Sequence, residues 1–243
     1  MLEHLDLNLS VSKAVYKRRL PKLQEQLYGL AHSMFVSGIP SVVVFEGWAT
    51  SGKGSTITLL TERLDARGFR VVPIMPPRTY ETKYPWLWRF WLKIPAAGQI
   101  MIFDQSWYRR VLTDRFMKVV SKREWENAYD DINEFEEQLA NDGTLIVKFW
   151  LHICKKEQKK RIKQLQKNHL TTWQISEEDA IQNKGYKKFN RMVEEMLSRT
   201  EMPFAPWTIV EATDKYFARI KIYESLIRAF NKRLKGTPDK NHA

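Results

Sequence analysis

The stretch Gly47-Trp48-Ala49-Thr50-Ser51-Gly52-Lys53 sets two glycines around four residues and follows the second with lysine, the spacing of a loop that wraps phosphate. Glycines at those places let a tight turn aim backbone N–H groups at phosphate oxygens, and a helix starting there adds its positive pole. Lys53 supplies a point charge for a phosphoryl group in transit. Gly47, Gly52, Lys53, Gly54, Ser55 and Thr56 form the expected phosphate-binding set. After the lysine comes Gly54 rather than the Ser or Thr that ordinarily holds Mg²⁺, with Ser55 one place later, so a cation has to be held differently.

The run Ile100-Met101-Ile102-Phe103-Asp104 is apolar and ends in a carboxylate, as expected of a strand-end Asp that carries Mg²⁺ directly or through water. Arg109, Arg110 and Arg115 follow closely. They can stabilise charge developing on a phosphoryl group or serve as structural ion-pair partners. The run Pro85–Trp91 holds three tryptophans at helical spacing. It could stack a base, but packing a core or a subunit interface is the favoured reading. His32, His152 and His169 stand apart from any cluster at ligand spacing, so neither a zinc-type site nor a nucleophilic triad is expected.

These groups need elements to hold them. Ser41–Glu46 is a β-branched run, the mark of a strand buried on both faces, and it leads straight into the glycine loop. Lys53–Arg67 fits a helix closed by Gly68, and Phe69–Ile74 a second strand. Gln99–Phe103 with Asp104 at its end, Thr144–Ile153 and Trp207–Val210 read as further strands with helical patterns between them. The predicted fold class is α/β, in three layers, with a central parallel sheet of about five strands and helices on both faces. Ahead of the sheet, apolar spacing over Val11–Val36, interrupted by Pro21, predicts an amphipathic helix over 11–37.

Two intervals exceed a plain crossover: Thr113–Asn141, rich in acids, and Lys155–Glu201, rich in Lys and Arg. The second reads as an inserted helical hairpin over about 155–201. Its first helix would carry Lys155, Lys156, Lys159, Lys160, Arg161, Lys163 and Lys167, and its second Lys184, Lys187, Lys188 and Arg191. A solvated face and an anion-binding surface both fit such a run. Residues 1–243 read as a single domain whose tail after Gly236 frays.

With 243 residues, 43% of them hydrophobic and 12% aromatic, the chain can bury a sizeable core, which excludes disordered and collagen-like classes. Its 40 Lys and Arg outnumber 28 Asp and Glu, a formal charge of +12, so an anionic partner is the first electrostatic expectation. No apolar run approaches the ~20 residues that cross a bilayer, so a soluble chain with no membrane partner is expected. Met1–Ser10 carries acids and no apolar block, so no secretory signal is expected. Cys154 is the only cysteine, which excludes intramolecular disulfides and points to the reducing cytoplasm. No groove-reading motif accompanies the charge, so nucleic acid is not an expected partner.

Phe45-Glu46-Gly47 with Gly52-Lys53-Gly54, Phe103-Asp104 with Ser106-Trp107-Tyr108 and Arg110, and Lys148-Phe149-Trp150-Leu151-His152-Ile153 with Glu157-Gln158 together resemble the polyphosphate kinase 2 family. The resemblance runs from Asp6 to about Phe230. Ala205-Pro206-Trp207-Thr208 and Asp214-Lys215-Tyr216-Phe217-Ala218-Arg219 are similar to the branch acting on nucleoside monophosphates. The resemblance implies a phosphate-loop kinase fold in which the hairpin is a lid lining a polyanion channel. It further implies a homo-oligomer and Mg²⁺-dependent phosphoryl transfer between inorganic polyphosphate and a nucleotide such as AMP, ADP, GMP or GDP. Lys53 and the loop amides would hold phosphates together with Arg115. Asp104 would hold Mg²⁺, Arg110 would stabilise the migrating group, and Arg161 would close from the lid.

The chain departs from that family at several places. The family's loop has glycine after the lysine and an Asp inside the loop, where this chain has Ala49; its Arg after the strand-end Asp is Gln105 here. The lid pattern of Arg and Asn reads Ile181-Gln182-Asn183, the lid tryptophan is Tyr186, and two acidic positions are Lys187 and Lys188. One lost electrostatic contact of this kind costs ~2.7–4 kcal/mol in rate. An enzyme, a catalytically impaired polyphosphate-binding or partner-regulating protein, and an ATP-dependent nucleoside monophosphate kinase therefore all stand as expectations.

Overall fold

The computed structural model describes residues 2–167, 172 and 176–236. Helix α1 (Lys13–Val36) starts at Ser12, whose hydroxyl accepts the Val15 N–H. It continues through Pro21, where the sequence suggested an interruption; Pro21 and Lys17, which loses its N–H partner, both face solvent. Strand β1 (Ser41–Gly47) follows, then α2 (Lys53–Thr61), β2 (Phe69–Pro73), α3 (Trp88–Trp91), β3 (Ile100–Asp104), α4 (Thr113–Phe116) and α5 (Lys122–Asn141). Strand β4 (Leu145–His152), α6 (Lys155–Gln166), α7 (Glu177–Lys184), α8 (Tyr186–Arg199), β5 (Trp207–Glu211) and α9 (Lys215–Lys235) complete the described chain.

The sheet has five parallel strands in the order β2-β3-β1-β4-β5. Strand β1 is central because Val42, Val43, Val44 and Phe45 are apolar on both faces, and each is at most 1% exposed. The chain leaves β1 toward β2 and β3 on one side, then crosses to β4 and β5 on the other. Carboxyl ends that meet where the order reverses form the crevice in which open α/β sheets bind ligands. Here those ends carry the glycine loop, Asp104 and His152.

Two helical expectations change, and one interval that the sequence left open resolves into two helices. Helix α2 stops at Thr61 rather than Arg67. The Thr58 and Thr61 hydroxyls donate back to the Gly54 and Ile57 carbonyls, and the Asp65 carboxylate accepts the Arg67 N–H in a turn. The interval Thr113–Asn141 splits because Lys118 adopts φ +58° and a capping box between Ser121 and Glu124 starts α5 afresh. Across 155–201 three described helices stand in place of a two-helix hairpin: α7 and α8 part at Gly185, where an added Cβ would lie 2.5 Å from Phe116 Cζ. Lys184 thus ends α7, whose first turn is acidic, while Lys187, Lys188 and Arg191 belong to α8. The tail after Gly236 and His169 lie outside the described residues.

Underneath the site the core holds a buried polar cluster. Lys148 Nζ donates to Glu136 Oε2 at 2.7 Å, to the Tyr108 hydroxyl at 2.8 Å and to the Thr200 carbonyl at 2.9 Å. Trp107 Nε1 and the Tyr108 hydroxyl both donate to Glu136 Oε1. Every ammonium proton has an acceptor, which is what keeps a buried charge tolerable. The cluster ties α5 to β4 and to the turn that follows Asp104.

Candidate active site: a phosphate loop under a three-helix cover

Between β1 and α2 the loop takes the shape its glycines allow. Gly47 has φ +152°, and a Cβ there would lie 2.6 Å from the Leu151 carbonyl oxygen, which already accepts the Trp48 N–H. Gly52 has φ +99° at the N-cap of α2, a left-handed backbone that L side chains avoid. Trp48 anchors the loop: it is wholly buried, stacks on Tyr186 at 4.0 Å between ring centroids, and donates its indole N–H to His152 Nδ1. Trp150 donates to the same nitrogen, so His152 is neutral; burial pushes its imidazole down to about 4.

Lys53 curls back on this loop, its Nζ donating to the Gly47 and Trp48 carbonyls at 3.0 and 3.2 Å. Opposite stands Asp104, whose carboxylate has no hydrogen-bond or ion-pair partner among the described residues. Its Oδ2 lies 3.9 Å from where a Gly54 Cβ would be. Glycine after the lysine therefore leaves open space beside a free carboxylate, and hard oxygen donors of this kind suit a divalent cation such as magnesium. Among the described residues no group of three His, Cys, Asp or Glu side chains surrounds a single point. Gln105 follows in the left-handed region, φ +61°, its N–H held by the Phe45 carbonyl.

Glu46 is a further site group, which no motif spacing marks by itself. It is 4% exposed, accepts a hydrogen bond from Ser106 Oγ at 2.8 Å, and feels both Lys53 and Asp104. Burial pushes its carboxyl up to about 7, against the pull of the Ser106 hydrogen bond and the Lys53 charge.

Helices α6 and α7 close over the loop through a neutral network. The Ala49 N–H donates to Gln182 Oε1 at 3.0 Å, which also accepts from Gln158 Nε2 at 2.7 Å. Asn183 Nδ2 donates to Gln158 Oε1 and to the Lys155 carbonyl. A loop amide is thus already occupied by an uncharged side chain from α7. The signal in the sequence is Gln158, a polar residue on the same helical stripe as buried Ile162.

Arg161, which the resemblance puts in the lid, touches the loop at the Thr50 carbonyl. It pairs with Glu157 and donates to the carbonyls of Thr50, Ala212 and Thr213 at 3.1, 2.9 and 2.8 Å. The three arginines that follow Asp104 most closely hold acidic partners. Arg109 pairs with Asp114 and Glu178, and Arg110 with Glu124 at 2.9 Å while lying over Trp86. Arg115 pairs with Glu195 at 2.7 Å and stacks over Trp125 at 3.5 Å, so a phosphate role for it requires releasing Glu195. The tryptophan run packs on α5, with Trp86 donating to Asp131 and Trp91 edge-on to Phe135.

Sheet order, glycine loop and strand-end carboxylate define a phosphate-loop kinase fold. The model of the family described as Polyphosphate kinase 2 matches residues 10–238; the chain belongs to that family. It is 41% identical over 226 residues to a polyphosphate:AMP phosphotransferase of Pseudomonas aeruginosa, covering 93% of this chain and 46% of that protein. The chain spans about half the length of the first curated relatives it matches. A crystal structure described as a polyphosphate kinase 2 from Pseudomonas aeruginosa superposes with a TM-score of 0.93 at 40% identity, over 97% of this chain and 51% of that one. The polyphosphate kinase 2 of Arthrobacter aurescens gives 0.90 at 28% identity, over 96% and 85%.

Proposed function

We propose that the chain transfers a phosphoryl group between inorganic polyphosphate and a nucleotide, with AMP the first acceptor to test because curated relatives 41% and 39% identical carry that activity in their names. The observation that carries the reading is the unpartnered Asp104 carboxylate facing Gly54, across from Lys53 and the loop amides. Gly47, Gly52, Gly54, Ser55 and Thr56 would cradle phosphate oxygens, and Lys53 would exchange its two loop carbonyls for them. Asp104 would hold Mg²⁺, which when bound shields the charge on the reacting phosphates. Arg110 can leave the half-exposed Glu124 at little cost to reach the migrating group. Arg161 fixes the cover in place and excludes water. Assembly into a homo-oligomer and a cytoplasmic setting are part of the same proposal. No described helix is long and apolar enough to cross a membrane.

Assaying ADP formation from AMP with polyphosphate and with ATP as donors, each with and without magnesium, tests this reading. Polyphosphate is expected to support magnesium-dependent turnover well above ATP; turnover with ATP alone would replace it by a nucleoside monophosphate kinase.

One observation favours a second reading, a polyphosphate-binding protein with weak turnover: Ala49 and Gln105 stand where the family has charged residues, and the Ala49 amide is taken by Gln182. Under it, Ala49→Asp with Gln105→Arg raises turnover by orders of magnitude. Nearly unchanged turnover indicates that the natural site already works by another route.

A further inference from the structure

Helix α7 holds two donors of the site at once. Glu178 and Gln182 stand four residues apart on it, so they share one face a single turn apart, about 6 Å along the axis. From that face Glu178 takes the Arg109 guanidinium through two bonds, Nη1 to Oε2 at 3.2 Å and Nη2 to Oε1 at 2.9 Å. Gln182 Oε1 takes the Ala49 N–H at 3.0 Å. A forked guanidinium and a glycine-loop amide are donors with which proteins hold phosphate oxygens. Here side chains of the same chain fill both.

Glu178 is not needed to start the helix. The Ser176 hydroxyl accepts the Asp179 N–H and the Asp179 carboxylate accepts the Ser176 N–H, a complete capping box. Nor is Glu178 the only balance for Arg109, whose Nε lies 2.9 Å from Asp114 Oδ1. The burial of the pair is lopsided: the Arg109 side chain is 8% exposed and that of Glu178 37%. Lifting α7 therefore returns a carboxylate to water at little cost but leaves the forked edge of a buried guanidinium without an acceptor. An incoming anion that takes the fork removes this penalty, and a neutral molecule does not.

From this geometry we infer that α7 is a built-in competitor for the anionic substrate: Glu178 and Gln182 take the places of phosphate oxygens on Arg109 and on the loop, and an anion must displace them. Arg109 then becomes a phosphate-binding residue once α7 lifts. The inference rests on the phosphate-loop reading of the site and adds to it an autoinhibitory contact.

Calorimetric titration of inorganic tripolyphosphate, without nucleotide, tests it on the wild type and on Glu178→Gln, Glu178→Gln with Arg109→Lys, and Lys53→Ala. Glu178→Gln keeps the shape of the side chain and should raise affinity about fivefold, the size of one part-exposed ion pair. Adding Arg109→Lys, which keeps a charge beside Asp114 but loses the fork, should erase that gain. Affinity in Glu178→Gln within about twofold of the wild type, or below it, while Lys53→Ala still weakens binding, would overturn the competitor and leave the phosphate-loop reading intact. A gain that survives Arg109→Lys would overturn the role of Arg109. If Lys53→Ala changes nothing, the phosphate-loop reading falls and the inference with it. Hydrogen exchange on the wild type needs no variant: saturating tripolyphosphate should speed exchange at the α7 amides by about threefold or more. Unchanged or slower exchange would mean that the helix stays or closes on the anion, and would overturn the proposal.

Discussion

Glu46 and His152 flank the loop with opposite debts to burial. Glu46 titrates near 7 in the folded chain against 4.5 in the open one, so the folded state retains a proton that the unfolded state releases, and stability falls as pH rises between those values. His152 titrates near 4 against 6.5; there the unfolded state binds the extra proton, and stability rises with pH across that window. Each shift is worth on the order of 3 kcal/mol, and the two slopes oppose over the range they share. Urea unfolding at a series of pH values should therefore show Glu46→Gln gaining stability steadily from about pH 4 to 6.5. His152→Gln should lose stability from about 4.5 to 7. Parallel pH profiles for both variants and the wild type would remove the burial account. Neither group was marked as a site residue by sequence, because a single Glu or His beside a motif carries no sign of the packing that perturbs it.

At the scale of elements, the strands were legible and the helix breaks were not. Val42–Phe45 and Ile100–Phe103 are continuous apolar runs whose burial on both faces needs no partner to specify it, whereas the run Ile146–Phe149 carries Lys148, whose burial depends on Glu136. The breaks at Thr61, Lys118 and Gly185 depend on local hydrogen bonds, a left-handed residue and the approach of Phe116, contacts that periodicity cannot contain. The loop lies directly against its neighbour, since Gly47 meets the β4 backbone at Leu151. Gly47→Ala should lower unfolding free energy by about 2–4 kcal/mol, combining a strained φ with overpacking. Denaturant titration checks this, and a change below about 0.5 kcal/mol, the size of an ordinary surface effect, would mean that the close approach is not what selects glycine.

For the whole molecule, the sheet's switch point gathers a glycine loop, an acid, a neutral imidazole and two helix poles along one edge. The glycine loop and the strand-end position of Asp104 were legible as motifs in the sequence, while Arg161 was singled out only through the family resemblance. Of the Gln158–Gln182–Asn183 network the sequence shows only Gln158, because its pairing joins α6 to α7 and only the fold brings those helices together. The net charge of +12 favours anions over the molecule as a whole, and the geometry of the loop rather than that charge selects phosphate.

The most direct measurement follows polyphosphate, AMP and magnesium by phosphorus NMR with the wild type and with Lys53→Met. The account predicts that ADP resonances grow with the wild type as the chain shortens. It predicts that they stall by at least two orders of magnitude in the variant, the scale for removing one preorganised transition-state contact. ADP appearing at equal rates in both would contradict it.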